Sequence, residues 1–253
     1  MSKPPRIGFM LGDVTGIGPE IAAKLLASGK PAQLAEVVVV GDRRVLETGM
    51  RDAGVRFAYT VCRSIDEVTW PRQDLPLIDL GNTEPAKFPQ GTSSDEAGKL
   101  AGDTLKFMID LALAGKLDGI CFAPLNKGAM NRGGWKFNDE HQMFAHLTSH
   151  SGFFGEMNVI DQFSTFRVTS HVALREAVNM ITPERITAAV NLANDTLRAA
   201  GKASPRIGVA ALNPHNGENG LFGDEEIRII RPTVDRRKSA GINCEGPISS
   251  DVI

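Results

Sequence analysis

An α/β fold with a mostly parallel sheet and helices on both faces is predicted by three features of this sequence. Short apolar, β-branched runs alternate with longer amphipathic stretches, glycine-bearing loops follow several of the runs directly, and no low-complexity linker or internal repeat interrupts the alternation. With 253 residues and 42% hydrophobic content the chain can bury a substantial core, as one large domain or as two lobes.

The first candidate strand, Ile7 to Leu11, leads into Gly12-Asp13-Val14-Thr15-Gly16-Ile17-Gly18-Pro19-Glu20. Pro19 and Glu20 open a helix, so free backbone N–H groups would point into the loop and favour an anion such as phosphate. The spacing is not the GxGxxG of a dinucleotide fold, although Asp42, after the run Val37 to Val40, could imitate that fold's ribose-binding acid. A tight structural turn and a ligand-facing loop are both compatible with these residues. Val55 to Val61 and Leu77 to Leu80 are the next candidate strands. Ser94 to Ala114 predicts a helix, with Leu100, Thr104, Phe107, Met108 and Leu111 at helical spacing and Asp95 and Glu96 in the first turn.

Gly119 to Ala123 reads as a buried strand, and Pro124-Leu125-Asn126-Lys127-Gly128 follows it. Lys127 there can meet an anionic group as a point charge, or carry a proton if its pKa is lowered; a solvated lysine is the plainer reading. His141, His146 and His150 lie in a polar, helix-like stretch and read as a partly exposed face. Met157 to Ile160 and Phe166 to Ser170 are further candidate strands, with His171 at the end of the second. Thr182-Pro183-Glu184 is a cap with proline at the first helical position, opening a helix that ends near Gly201. Arg206 to Leu212 is the last candidate strand, and Asn213-Pro214-His215 follows it in a glycine-rich loop closed by the acidic first turn Asp224-Glu225-Glu226. If the strands are parallel, their carboxyl ends share one edge, and His171 and His215 could face the same crevice. Two imidazoles suit a divalent transition metal but are too few for a stable site.

A formal net charge of −2 gives no electrostatic footprint for nucleic acid, and no run of lysine or arginine is long enough to suggest an anionic membrane surface. No apolar stretch approaches the roughly 20 residues of a membrane helix, and the start Met1-Ser2-Lys3-Pro4-Pro5-Arg6 lacks a signal-peptide core, which predicts a cytoplasmic protein. Cys62, Cys121 and Cys244 are odd in number, far apart and without CxxC spacing, so neither disulfides nor a thiolate zinc site is expected. Cys121 is expected to be a buried strand residue.

Taken together, Gly12-Asp13, Gly16-Ile17-Gly18-Pro19-Glu20, Ala123-Pro124 with Asn126-Lys127, Asn213-Pro214-His215 with Gly217-Glu218, and Gly246-Pro247 with Asp251 make the chain resemble the 4-hydroxythreonine-4-phosphate dehydrogenase family, the PdxA-like proteins of pyridoxine biosynthesis and related catabolic pathways. The order and spacing of these motifs span almost the whole chain. The resemblance implies an αβα protein of the isocitrate and isopropylmalate dehydrogenase class, with one lobe over residues 1–130 and a second, metal-binding and dimerising lobe over 131–253. It implies a homodimer whose subunits share the active site. The implied reaction uses NAD or NADP and a divalent metal (zinc, magnesium, manganese or cobalt). The secondary alcohol of a small phosphorylated hydroxy acid, such as 4-phosphooxy-L-threonine or a 4-phospho-threonate or -erythronate, is oxidised, and the β-keto acid loses carbon dioxide. Carried over residue by residue, His171 and His215 take metal positions, His141 and Gln142 contact substrate, Lys127 and Asp251 are catalytic, and Gly12, Asp13, Gly16 and Gly18 border the cofactor.

Two motifs depart from the family's pattern. Glu140-His141-Gln142-Met143 stands where Gly-His-Thr-Glu is usual, and Val14-Thr15 stands for Pro-Ala. Glutamine for threonine changes both volume and donor pattern in a contact that selects substrate, so an aromatic cis-dihydrodiol is an alternative. The resemblance also implies residues beyond Ile253: a third metal-binding histidine and a Lys, Asn and Arg for the phosphate. If the gene product ends at Ile253, weak metal binding and a non-catalytic, binding or dimerising role are expected; if the chain is a piece of a longer one, an ordinary dehydrogenase is. A metal-dependent hydrolase or epimerase using the same histidines is a further alternative, without cofactor turnover.

Overall fold

A computed structural model describes residues 3–71 and 74–253, and the chain divides into two compact units, residues 1–150 and 151–253. In the first unit five strands pair in parallel in the order β3-β4-β2-β1-β5: β1 (Arg6–Met10), β2 (Glu36–Gly41), β3 (Tyr59–Cys62), β4 (Leu75–Asp79) and β5 (Gly119–Phe122). The two central strands show why helices cover both faces. Along β1 and β2, Met10, Val38 and Val40 join a core cluster with Leu105 and Met108, whereas Phe9, Leu11, Val37 and Val39 join another with Ala22, Val45 and Leu46. This period of two on a doubly buried strand leaves no polar position, so both strands read as continuous apolar runs.

The first cluster is capped by α4 (Asp95–Leu113), whose Ser94 side chain accepts from the Ala97 N–H as an N-cap. The second is covered by α1 (Gly18–Ala27) and α3 (Arg43–Ala53), which touch closely because Gly49 has no side chain: a Cβ there would stand 2.2 Å from the Pro19 carbonyl oxygen. Short α2 (Lys30–Leu34) joins α1 to β2. Helices α5 (Lys127–Arg132) and α6 (Glu140–Leu147) complete the unit. Residues 131–150, expected in the second lobe, fall within the first unit, because Met143 is buried in the α4-side core and Trp135, Phe137, Phe144 and Leu147 pack against it.

The second unit contains β6 (Met157–Val159), β7 (Ser164–Phe166), α7 (Leu174–Asn179), α8 (Pro183–Ala199), β8 (Ile207–Ala210), α9 (Arg231–Ser239) and β9 (Cys244–Ile248). Strands β8 and β9 pair in parallel, and Ile186, Val190, Ile230, Val234 and Cys244 form the buried core behind them. Thr182 caps α8 as its sequence predicts, accepting from the Arg185 N–H.

Three strand expectations change. Residues 55–58 link the left-handed C-cap Gly54 to β3 and are not strand. Residues 167–170 are not strand either: β7 ends at Phe166 and runs antiparallel to β6, in a ribbon separate from β8 and β9. The cause is local, since the Val168 carbonyl accepts from the Arg185 guanidinium at 3.0 and 3.3 Å instead of from a neighbouring strand. Cys121, expected to be buried, lies exposed on edge strand β5. Among the described residues no helix is long and apolar enough to cross a membrane.

Candidate functional site

At the carboxyl edge of the first unit's sheet, the loop after β1 is fastened to the loop after β5 by the Asp13 N–H bonding the Pro124 carbonyl at 3.0 Å. Gly12 makes this approach possible: its φ is +83°, and a Cβ would stand 2.6 Å from the Pro124 oxygen. Gly18 is equally confined, with the Leu11 carbonyl oxygen 2.5 Å from where a Cβ would be. Asp13 is buried, and its Oδ1 accepts from both the Thr15 N–H and hydroxyl, at 2.9 and 2.8 Å. Gly12, Asp13 and Gly18 are thus accounted for by the chain's own packing, while Gly16 retains ordinary space around its Cα. Beside this loop lies a cavity of about 410 Å³, bordered by Val14, Pro19, Val45, Arg51 and Phe88. That volume lies within the range of small-ligand sites.

Asp42 does not serve as a free ribose-binding acid. It is 3% exposed and N-caps α3; its Oδ1 accepts from the Arg44 N–H and Nε, and its Oδ2 from an Arg44 terminal nitrogen and the Thr83 N–H. Burial opposes ionisation, but the Arg44 side chain and the two backbone donors outweigh it and hold the carboxyl below its ordinary 3.8. The residue ties the loop after β2 to the loop after β4.

Lys127 opens α5, capped by Asn126, and its Nζ lies 3.0 Å from Glu140 Oε2. Glu140 in turn opens α6, whose N-cap Asp139 accepts from the Gln142 N–H at 2.9 Å and stands 3.8 Å from His141 Nδ1. The structure therefore brings together three residues singled out separately, Lys127, His141 and Gln142. The link is Glu140, 12% exposed in its side chain, which nothing in the sequence pattern marked as Lys127's partner thirteen positions away. The enclosed recess here, next to Trp135 and Met143, holds only about 10 Å³, room for one water at most, so a larger ligand would meet these groups from their exposed side. His146 instead packs its ring against Phe137 at 5.3 Å.

In the second unit, parallel pairing of β8 and β9 puts the segments after both strands at one edge. His215 follows β8 and Asp251 follows β9, and the Ser250 hydroxyl bonds the Ala211 carbonyl at 2.9 Å to tie the two segments. Asp251 is exposed and accepts from the Ser249 hydroxyl at 2.6 Å. That bond, its own backbone N–H and the neighbouring His215 lower its carboxyl below 3.8.

The turn that presents His215 is unusual. His215, Asn216, Gly217, Glu218 and Asn219 are consecutive in the left-handed region, with φ of 50, 59, 76, 43 and 55°. Left-handed geometry costs an L-residue on the order of 1–2 kcal/mol, less for asparagine, so four non-glycine residues need external support. Glu226 supplies it. This carboxylate is 1% exposed and forms no ion pair among the described residues; Oε1 accepts from the Leu212 and Asn213 N–H groups at 2.8 and 2.7 Å, and Oε2 from the Asn213 amide at 2.9 Å. The same amide bonds Glu225 at 2.7 Å, and Oε2 would touch a Cβ on Gly217 at 2.9 Å. Burial raises the Glu226 pKa, yet these donors dominate and leave it below 4.5. The acidic triplet was legible only as a helix first turn; its inward-facing member was not.

His171, also left-handed at φ +53°, stands 3.9 Å from Glu156, which pairs with Arg167 at 2.8 Å. Because β7 lies outside the β8–β9 pair, a shared strand edge does not explain how His171 and His215 would meet. Among the described residues of this unit, no three potential metal donors gather at one point.

Comparison with known proteins agrees with these motifs. The family model for pyridoxal phosphate biosynthetic protein PdxA matches residues 33–253. A Pseudomonas aeruginosa protein provisionally named 4-hydroxythreonine-4-phosphate dehydrogenase 2 is 39% identical over 252 residues, 98% of this chain and 74% of its own length. A D-threonate 4-phosphate dehydrogenase of Cupriavidus necator is 37% identical, over 98% of this chain and 74% of its own. The solved 4-hydroxythreonine-4-phosphate dehydrogenase of Klebsiella pneumoniae superposes with a TM-score of 0.86 at 32% identity, covering 100% of this chain and 76% of that one.

Proposed function

We propose, from the premise that this chain belongs to the pyridoxal phosphate biosynthetic protein PdxA family, that it is a cytoplasmic, metal-dependent NAD(P) dehydrogenase. It oxidises the secondary alcohol of a small phosphorylated hydroxy acid, 4-phosphooxy-L-threonine or a 4-phospho-threonate or -erythronate, and the β-keto acid formed loses carbon dioxide. The relatives' names support the dehydrogenase class and the phosphorylated hydroxy acid. The single structural observation behind the metal is the delivery of His215 and Asp251 to one strand edge of the second unit.

The donor chemistry fits a divalent cation: His215 and Asp251 follow neighbouring strands, and His171 Nε2 lies 3.9 Å from Glu156, a nitrogen and oxygen set suited to zinc, manganese, magnesium or cobalt. His171 and His215 would hold the metal, which when bound polarises the alcohol oxygen and lowers the cost of its deprotonation. Asp251 is the proton acceptor, an exposed carboxylate on the segment that Ser250 ties to the end of β8. On the first unit, Lys127 presents a cation to an anionic substrate and Glu140 fixes its direction, while His141 and the exposed Gln142 amide offer the contacts that discriminate between substrates. A bound NAD or NADP would supply the two-electron acceptor. For that cofactor the Gly16 face of the loop and the neighbouring cavity at Val14 and Arg51 fit, whereas the carboxylates of Asp13 and Asp42 are already occupied.

We also propose a homodimer with the active site shared between subunits. Val159, Ile160 and Phe163 on or beside the β6–β7 ribbon are 50–64% exposed and Leu174 is 83% exposed, an apolar surface that a second subunit would cover. Three cysteines far apart in sequence, with no disulfide among the described residues, suit a reducing compartment.

The purified protein, given D-threonate 4-phosphate or 4-phosphooxy-L-threonine with NAD or NADP and each of the four metals, should reduce the nicotinamide and release carbon dioxide. No reduction under any combination would reject the reading.

A further inference from the structure

We infer that Glu226 is a positioning residue for His215, acting through Asn213 and the left-handed turn. The inference deepens the metal-site reading above and rests on it for its ligand. Three observations carry it. Glu226 is fully buried, yet among the described residues no lysine or arginine pairs with it; apart from its own backbone N–H, the donors to its carboxylate are the backbone and amide of the two residues that enter the His215 loop. The loop it holds contains five successive left-handed residues, a conformation that reverts once external restraint is removed. Within that turn Gly217 packs directly on the carboxylate, so the same group fixes both the start and the middle of the turn.

A buried ionised carboxylate is an expensive way to brace a loop if shape alone matters, because an apolar side chain of similar size would stabilise the unit at least as well. The acceptor geometry explains the choice. Two convergent N–H groups and an amide require oxygens at two places, and only a carboxylate offers both without a donor of its own. A Glu226→Gln change keeps one acceptor and turns the other into an NH₂ group facing the Asn213 amide. The entry to the turn then keeps its two backbone bonds but loses the Asn213 amide contact, while the side-chain volume stays the same.

The test titrates Mn²⁺ alone into the whole protein as wild type, Glu226→Gln, His215→Ala and Val190→Ala. The last is a core truncation in the same unit that serves as a matched destabilisation. Loss of a supporting contact behind a metal ligand typically weakens binding about 10–100-fold. The expected result is a weakening of that size in Glu226→Gln, with wild-type affinity in Val190→Ala. Wild-type affinity in Glu226→Gln, or an equal loss in Val190→Ala, overturns the inference. If His215→Ala binds Mn²⁺ as wild type does, or wild type binds none, the metal reading fails on its own terms. A crystal structure of Glu226→Gln then decides the positioning role: His215 released from positive φ sustains it, and an unchanged turn overturns it. Should Glu226→Gln not fold, Asn213→Ala removes the amide donor instead and is read against the same outcomes.

Discussion

Replacing Gly98 by alanine sets two effects of known size against each other. In an ordinary helix interior the change stabilises by about 1 kcal/mol, because glycine gives up more backbone freedom on folding. In α4, however, the new Cβ would lie 2.0 Å from the Ala129 carbonyl carbon, 2.1 Å from its oxygen and 2.4 Å from the Met130 nitrogen. All three are main-chain atoms of α5, so no side-chain rotation relieves the clash. Regaining ordinary contact at 3.4 Å requires α5 to withdraw by about 1.4 Å, and Gly133 resists, because its Cα is itself pressed against the α4 backbone at Asp95 and Lys99. Overpacking of this kind costs about 1–3 kcal/mol and sometimes more, which outweighs the helix gain. Three main-chain contacts place the cost at the upper end of that range, so after the helix gain Gly98→Ala should destabilise by about 2 kcal/mol, lowering Tm by roughly 4–8 °C for a chain of this size. It should also raise KM, since α5 carries Lys127. Differential scanning calorimetry reads the first effect and steady-state kinetics the second. A variant as stable as wild type, or more so, would refute the packing argument.

Other outcomes follow from the site. His171→Ala and His215→Ala should each reduce bound metal, measured by elemental analysis, with Tm within about 1 °C of wild type because both side chains are exposed. Lys127→Ala should impair turnover while changing stability by under about 1 kcal/mol, as expected for a half-exposed ion pair; chemical denaturation and a kinetic assay separate the two. Glu226 should make stability pH-dependent in acid. Its folded pKa lies below its ordinary 4.5, so its contribution is complete above 4.5 and declines as pH falls through the depressed value, and urea unfolding from pH 6 to 3 should show a shallower decline in Glu226→Gln.

The layers of the first unit were legible because their signals are local. Val37 to Val40 is an unbroken buried run, and Ser94 caps its helix through a side chain three residues from the N–H it binds, as Thr182 does in the second unit. The end of β7 at Phe166 was hidden because Arg185, seventeen residues beyond Val168, claims that residue's carbonyl. The candidate site was legible only as motif residues, Lys127, His141 and His215 among them. It was illegible where a tertiary partner fixes the residue's state. Glu140 and Glu226 each sit among other acidic residues, and only the fold reveals that one is nearly buried against a lysine and the other enclosed by amides. The left-handed turn did leave a trace, the asparagines and glycines of Asn216-Gly217-Glu218-Asn219-Gly220, whose tolerance of positive φ is general but whose concerted use is not.

The five buried residues behind β8 and β9 have a dynamic consequence. The first unit's sheet is backed by thirteen buried side chains on one face and eight on the other, so the second unit has far less apolar burial opposing its own opening. Local opening free energies follow such differences, and amide hydrogen exchange should be fastest in the half that carries His171 and His215. Ligands that bind only the closed form would suppress that exchange in proportion to their affinity, making the slowing of exchange in residues 151–253 a readout of occupancy that needs no turnover.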